Sequence, residues 1–173
     1  EALINILMRH TYRPNQFKKA INSILSQNYN NYKIIICYDD KKCYEYLKAY
    51  ENNKKIQIYN ACNVDKSISY FYNLYCNDLL EKVENGWIVF LDDDDEYINN
   101  NALTIISNHL NNDEDFLFWG VKMGNNIVYP KNLNNIKKHL DISSIGFCFH
   151  SKYKKNGKWY SKQGSDYLFI NET

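Results

Sequence analysis

Residues 87–96 read WIVFLDDDDE, five apolar residues in a row and then five carboxylates. An unbroken apolar run of this kind suits a strand buried on both faces, as in a parallel sheet covered by helices. Two unit charges about 4 Å apart repel by roughly 1 to 4 kcal/mol at effective dielectrics of 80 to 20, so acids crowded behind such a strand need water or a cation. A solvated turn is one solution. A divalent ion such as Mn2+ or Mg2+ is the other, since it prefers carboxylate oxygens and keeps positions open for phosphate. Position favours the ion, because ligands of open α/β sheets bind beyond the carboxyl ends of the strands.

Outward from this stretch the pattern repeats. Residues 3–8 (LINILM) and 33–38 (KIIICY) are further buried strands, the second stopping at Asp39 and Asp40. Pro14 opens a segment with Phe17, Ala20, Ile21, Ile24 and Leu25 at helical spacing, and Pro is favourable in a first turn because its missing N–H has no helical partner there. Further helices are predicted over 42–51 and from Ile68 to Val83, the latter ended by Asn85-Gly86, with a strand over 55–59 between them. This alternation predicts right-handed βαβ units, hence an α/β fold with a mostly parallel sheet flanked by helices. Beyond Asn111 the order is less regular. It reads as strands over 115–121, 127–129 and 145–150, a turn at Gly124-Asn125-Asn126, a helix over 132–140, and a polar loop leading to Asp166.

Composition bounds the function. Lys and Arg total 21 against 20 Asp and Glu, a net charge of +1, which gives no electrostatic reason to expect nucleic acid as a partner. The 16% aromatic content argues against disorder. Five cysteines form an odd set without CxxC spacing and read as reduced thiols. No apolar run approaches the roughly 20 residues that span a bilayer, so the chain is expected to carry no membrane segment and to be cytoplasmic. Its opening on Glu suggests a fragment of a longer protein. Neither an internal repeat nor a linker divides it, so a single domain over 1–173 is expected.

Residues 87–103 (WIVFLDDDDEYINNNAL) resemble the strand, Asp-x-Asp-Asp and following-helix pattern of family 2 GT-A glycosyltransferases. Residues 13–40 (RPNQFKKAINSILSQNYNNYKIIICYDD) look like the first βαβ unit of the same family, and Asn73 matches an Asn often seen there. The resemblance covers roughly the first 110 residues. It implies a Rossmann-like GT-A domain, with about 1–110 binding the nucleotide-sugar and about 111–173 forming an acceptor-side half for which truncation is one reading.

By the same resemblance, the segment Arg9 to Arg13 is a loop touching base or ribose, with Thr11 and Arg13 the candidates. Asp39 or Asp40 accepts the uracil N–H while the other caps a helix. Lys66 neutralises diphosphate charge. Asp92 groups with the nucleotide-sugar, as does Asp93 beside it, although Asp93 falls at the variable position where simple solvation is expected. Asp94, with Asp95, holds Mn2+ or Mg2+, and His150 is a further candidate for metal or phosphate. Asp166, in Gly164-Ser165-Asp166-Tyr167, is the candidate catalytic base, with Ser165 standing where an acidic residue is commoner.

The implied reaction moves a sugar from a UDP-sugar or similar donor to an acceptor hydroxyl with inversion. The acceptor, whether glycan, protein or lipid, is not specified by the sequence. Two other readings remain open: a retaining enzyme, and a degenerate domain that binds nucleotide or glycan without catalysis.

Overall fold

The structure, a computed structural model, describes residues 1–124, 126–134 and 142–173. Strands β1 (Ile4–His10), β2 (Tyr32–Tyr38), β3 (Ile56–Asn60) and β4 (Trp87–Phe90) are joined by helices α1 (Pro14–Leu25), α2 (Tyr44–Leu47) and α3 (Leu74–Glu81). Helix α4 (Ala102–Asn108) follows the acidic run. Short strands β5 (Leu117–Phe118), β6 (Val121–Lys122) and β7 (Val128–Tyr129) lead to β8 (Phe147–His150), and α5 (Ser165–Glu172) ends the chain. The main sheet has the order β3-β2-β1-β4-β8-β5, and β6 and β7 form a separate pair. Strands β1 to β4 run parallel, whereas β8 is antiparallel to β4. The expected mostly parallel α/β sheet is therefore present. Among the described residues no helix is long and apolar enough to cross a membrane.

The period of two along the strands distributes the core. Ile4, Ile6 and Met8 of β1, with Ile34 and Ile36 of β2, meet Phe17, Ile21 and Ile24 of α1 and Leu103 of α4. Leu7, Ile35, Ile88 and Phe90 face the other way, onto Leu79 of α3, Phe149, Trp159 and Phe169. One consequence governs the site: Arg9 lies on the α3 and α5 face with Leu7, and His10 on the α1 face with Met8.

Several expected elements differ in extent. Strand β1 continues through Arg9 and His10, which were expected in a loop. The helix over 42–51 is a single α-helical turn between the 3-10 turns Lys41–Cys43 and Lys48–Tyr50, with only Cys43 and Leu47 buried to hold it. The helix expected from Ile68 has its regular part at Leu74–Glu81. The strand over 115–121 is divided into β5 and the start of β6. The turn around Asn125 and the helix over 132–140 fall on residues 125 and 135–141, outside those described.

Gly86 turns α3 into β4 at φ +88, where a Cβ would stand 2.6 Å from the Leu3 carbonyl oxygen. Only glycine takes this conformation and this approach together.

Candidate functional site

The carboxyl ends of β1, β2 and β4 converge on a cavity of about 390 Å3 whose walls include Thr11, Arg13, Asp39, Asp92 and Asp94. A second cavity, about 190 Å3, adjoins it and contains Asp166, Trp159 and Lys162. Arg9 and Tyr72 line both.

Each member of the acidic run has a different environment. Asp92 receives a two-pronged contact from Arg9, whose Nε donates to Oδ1 at 2.8 Å and whose Nη2 donates to Oδ2. Burial works against the Arg9 charge, but the groups around it, Asp92 foremost, together outweigh burial and hold the guanidinium protonated. Arg9 Nη1 also donates to Asn73 Oδ1 at 3.0 Å, and the Asn73 amide donates in turn to the Tyr160 and Lys162 carbonyls. Asn73 thus braces Arg9 against the loop leading to Asp166.

Asp93 overturns the expectation of solvation, for its side chain is fully buried. Its Oδ2 lies 2.7 Å from His10 Nδ1 and accepts the Thr11 N–H at 3.1 Å. His10 Nε2 is 2.6 Å from the Tyr46 hydroxyl, and Arg13 Nη2 stands 2.6 Å from Asp93 Oδ1. A buried carboxylate needs such partners, since desolvation without them strongly disfavours its charge. Asp93 is the anchor that draws the acidic turn onto the first loop.

Asp94 is partly exposed and takes Arg13 Nη1 on Oδ2 at 2.5 Å. Among the described residues no donor reaches the Asp95 carboxylate. Burial, with the charges of Asp92 and Asp94 beside it, lifts its pKa to about 7.

The pair after β2 divides. Asp40 caps the following 3-10 turn by accepting the Lys42 N–H at 2.9 Å. Asp39 faces the larger cavity. Its Oδ2 meets Lys66 Nζ at 3.2 Å and the Tyr75 hydroxyl at 3.3 Å, while its buried Oδ1 has no hydrogen-bond partner among the described residues. Lys66 is therefore tied to Asp39, at the far side of the cavity from the Asp92 pair.

Asp166 is the second residue of α5, so Gly164 at φ 72, not Asp166, caps that helix. Burial pushes the Asp166 carboxyl up, against hydrogen bonds from the backbone of Tyr167 and Ser144. Ser165 is buried, its hydroxyl accepting the Tyr160 N–H at 2.6 Å. Tyr70, on the rim of the smaller cavity, holds φ 58, a left-handed conformation that non-glycine residues keep only where surroundings enforce it.

His150 does not join the others. It pairs with Trp87 at the amino end of β4, five residues from Asp92 and so roughly 16–17 Å along the strand direction at about 3.3 Å per residue. Its ring packs edge-on to Trp87 and lies 3.7 Å from Asp113. The metal role expected of His150 is corrected accordingly.

A divalent ion would find two carboxylates, Asp94 and Asp95, as hard oxygen donors. Among the described residues no three His, Cys, Asp or Glu side chains form a ready-made cage. Mg2+-type ions are held by one or two carboxylates when phosphate completes the shell, and a carboxyl lifted to about 7 by burial, and then by the charges of Asp92 and Asp94, is a group that such a charge relieves. The donor set fits.

Comparison with known proteins agrees with this architecture. The family described as glycosyl transferase family 2 matches residues 10–168. A UDP-Glc:alpha-D-GlcNAc-diphosphoundecaprenol beta-1,3-glucosyltransferase, WfgD of Escherichia coli, is 27% identical over 158 residues, covering 83% of this chain and 58% of its own. Among solved structures, S. aureus TarS 1-349 in complex with UDP-GlcNAc superposes with a TM-score of 0.69 at 16% identity, over 97% of this chain and 53% of that one. The mannosyltransferase PcManGT of Pyrobaculum calidifontis, in complex with GDP-Man and Mn2+, gives 0.68 at 8% identity, over 99% and 52%. The two structures share the fold. The chain spans little more than half the length of each of these proteins.

Proposed function

The chain belongs to glycosyl transferase family 2, and on that premise we propose that it transfers a sugar from a UDP-sugar to an acceptor hydroxyl with inversion. The observation that carries the choice of donor is Asp39 Oδ1, a buried acceptor beside the larger cavity without a partner among the described residues. Leaving such a group unmade costs about 1–3 kcal/mol, and the imide N–H of uracil supplies the missing donor where adenine or cytosine offers none of that kind. TarS, whose structure includes UDP-GlcNAc, and WfgD, named for UDP-Glc, support the same donor class. Thr11 and Arg13 would lie along the nucleoside, and Asp92 toward the ribose.

Asp166 acts as the general base. Its raised carboxyl makes it a better proton acceptor than an ordinary Asp, and its place in the adjoining cavity suits an acceptor hydroxyl. The hydroxyl proton passes to Asp166 as the oxygen bonds to the anomeric carbon and the bond from that carbon to the diphosphate oxygen breaks. Asp94 and Asp95 would hold Mn2+ or Mg2+, which when bound offsets negative charge on the diphosphate. WfgD is named for a lipid diphosphate acceptor, and an acceptor of that class is the first to try.

Calorimetric titration with UDP and with ADP, in Mn2+, tests the donor reading. UDP should bind at least about tenfold more tightly, and Asp39→Ala should erase the difference. Equal affinities in the unaltered chain would sink it.

A further inference from the structure

We propose that Arg9 is a diphosphate-binding residue, a fixed cation in the wall shared by the two cavities that grips the donor between nucleoside and sugar. The inference rests on the nucleotide-sugar reading above and adds to it a contact made by the chain itself, independent of any metal.

Three observations converge on it. The first is location. A donor whose uracil lies at Asp39 and whose anomeric carbon lies within reach of an acceptor held at Asp166 must cross from the larger cavity into the smaller. Among the described residues Arg9 and Tyr72 are the two common to both linings, and the Arg9 guanidinium stands 5.5 Å from the Tyr72 ring centre. In such a donor the diphosphate is what lies between nucleoside and sugar.

The second is a donor count. A guanidinium carries five N–H groups. Asp92 takes those of Nε and one of Nη2, and Asn73 takes one of Nη1. Among the described residues one N–H on each terminal nitrogen is left without an acceptor, and a charged guanidinium N–H is a strong donor to phosphate oxygen.

The third is charge. Asp39, Asp92, Asp94 and Asp166 all line these cavities, so an entering diphosphate meets repulsion on several sides. Lys66 is engaged at Asp39, and Arg13 at Asp93 and Asp94. Lys162 lines the smaller cavity alone, whereas Arg9 is a cation at the junction itself. Its contacts with Asp92 and Asn73 fix its plane in advance, so little side-chain freedom is lost on binding.

The test compares uridine with UDP in EDTA, by calorimetry, so that no divalent ion contributes. The unaltered chain should bind UDP more tightly than uridine by roughly tenfold or more. In Arg9→Gln that ratio should fall to near unity while uridine affinity changes less than about threefold. Because Arg9→Gln leaves Asp92 without its partner, the double variant Arg9→Met/Asp92→Leu, which orphans no charge, is measured beside it. There uridine binding weakens with the loss of Asp92, and the ratio should still collapse. A ratio retained in either folded variant, or a ratio of one in the unaltered chain, overturns the proposal and leaves the donor reading standing. Failure of the unaltered chain to bind uridine or UDP, in EDTA or in Mn2+, removes the donor reading itself.

Discussion

The two ends of strands β1 and β4 are built from similar materials and finished differently. At the amino end Asn5 is buried, its amide donating to the Asn85 and Trp87 carbonyls at 2.8 and 3.0 Å. Gly86 closes against Leu3, and His150 packs on Trp87. The carboxyl end also pairs polar groups, Arg9 and Asp92 half-buried as one pair and His10 and Asp93 fully buried as another. There, however, the pairs stand beside groups left incomplete among the described residues: the Asp39 oxygen without a donor, the Asp95 carboxyl without one, and two Arg9 N–H groups without an acceptor. A buried polar group that is fully satisfied belongs to architecture, and one held ready but unfinished marks the place for a ligand.

If that contrast is right, substitutions at the carboxyl end abolish turnover and spare the fold, and those at the amino end do the reverse. The largest effect is expected for Asp166→Asn, a fall in kcat of about 10² to 10⁴ with UDP affinity unchanged by calorimetry. A base must be unprotonated, so the rate should rise with pH through the Asp166 pKa. Burial raises that pKa and so moves the acidic limb of the profile above the ordinary carboxylate value of 3.8. The residual rate of Asp166→Asn should lack this limb. Asp94→Ala should lower transfer and donor hydrolysis by on the order of 10² while the melting temperature holds. A matched loss of stability would erase the contrast from that side.

At the amino end, Gly86→Ala should destabilise the protein by about 1–3 kcal/mol in denaturant titration, through positive φ and collision with Leu3, with kcat unaltered in the folded fraction. His150→Ala should have the smallest effect, below about 1 kcal/mol, and no influence on the Mn2+ concentration giving half-maximal rate. A shift in that concentration would return His150 to the metal site and break the comparison outright.

The sheet was legible in the sequence because its strands are apolar runs and its helices carry apolar residues at regular spacing. Phe17, Ala20, Ile21 and Ile24 are all buried as the pattern requires. The placing of Asp39 and the acidic run beyond strand ends was legible for the same reason. What escaped depended on direction and parity. His150 was expected near the acids because it ends a strand, yet β8 runs antiparallel to β4 and delivers its last residue to the opposite edge. Arg9 and His10 were expected in a loop. Two further residues of strand send them to opposite faces, and only then does Arg9 meet Asp92 while His10 meets Asp93. Asp93 could not be told from its neighbours by chemistry alone, since the partners that bury it lie 83 residues away for His10 and 82 for Thr11. Alternation along residues 3–10, carried past the apolar run, is the one signal that could have separated Arg9 from His10.

The chain of contacts from Tyr46 through His10 to Asp93 carries a consequence for the thermodynamics of binding. The acidic turn is held in shape before any donor arrives, so the conformational entropy of ordering it is already lost in folding and is not charged again to association. Tyr46, although on the far face of the sheet from Asp166, is therefore part of what keeps the turn rigid. Loosening it would show first as a less favourable entropy of donor binding, with the enthalpy of the contacts themselves largely retained.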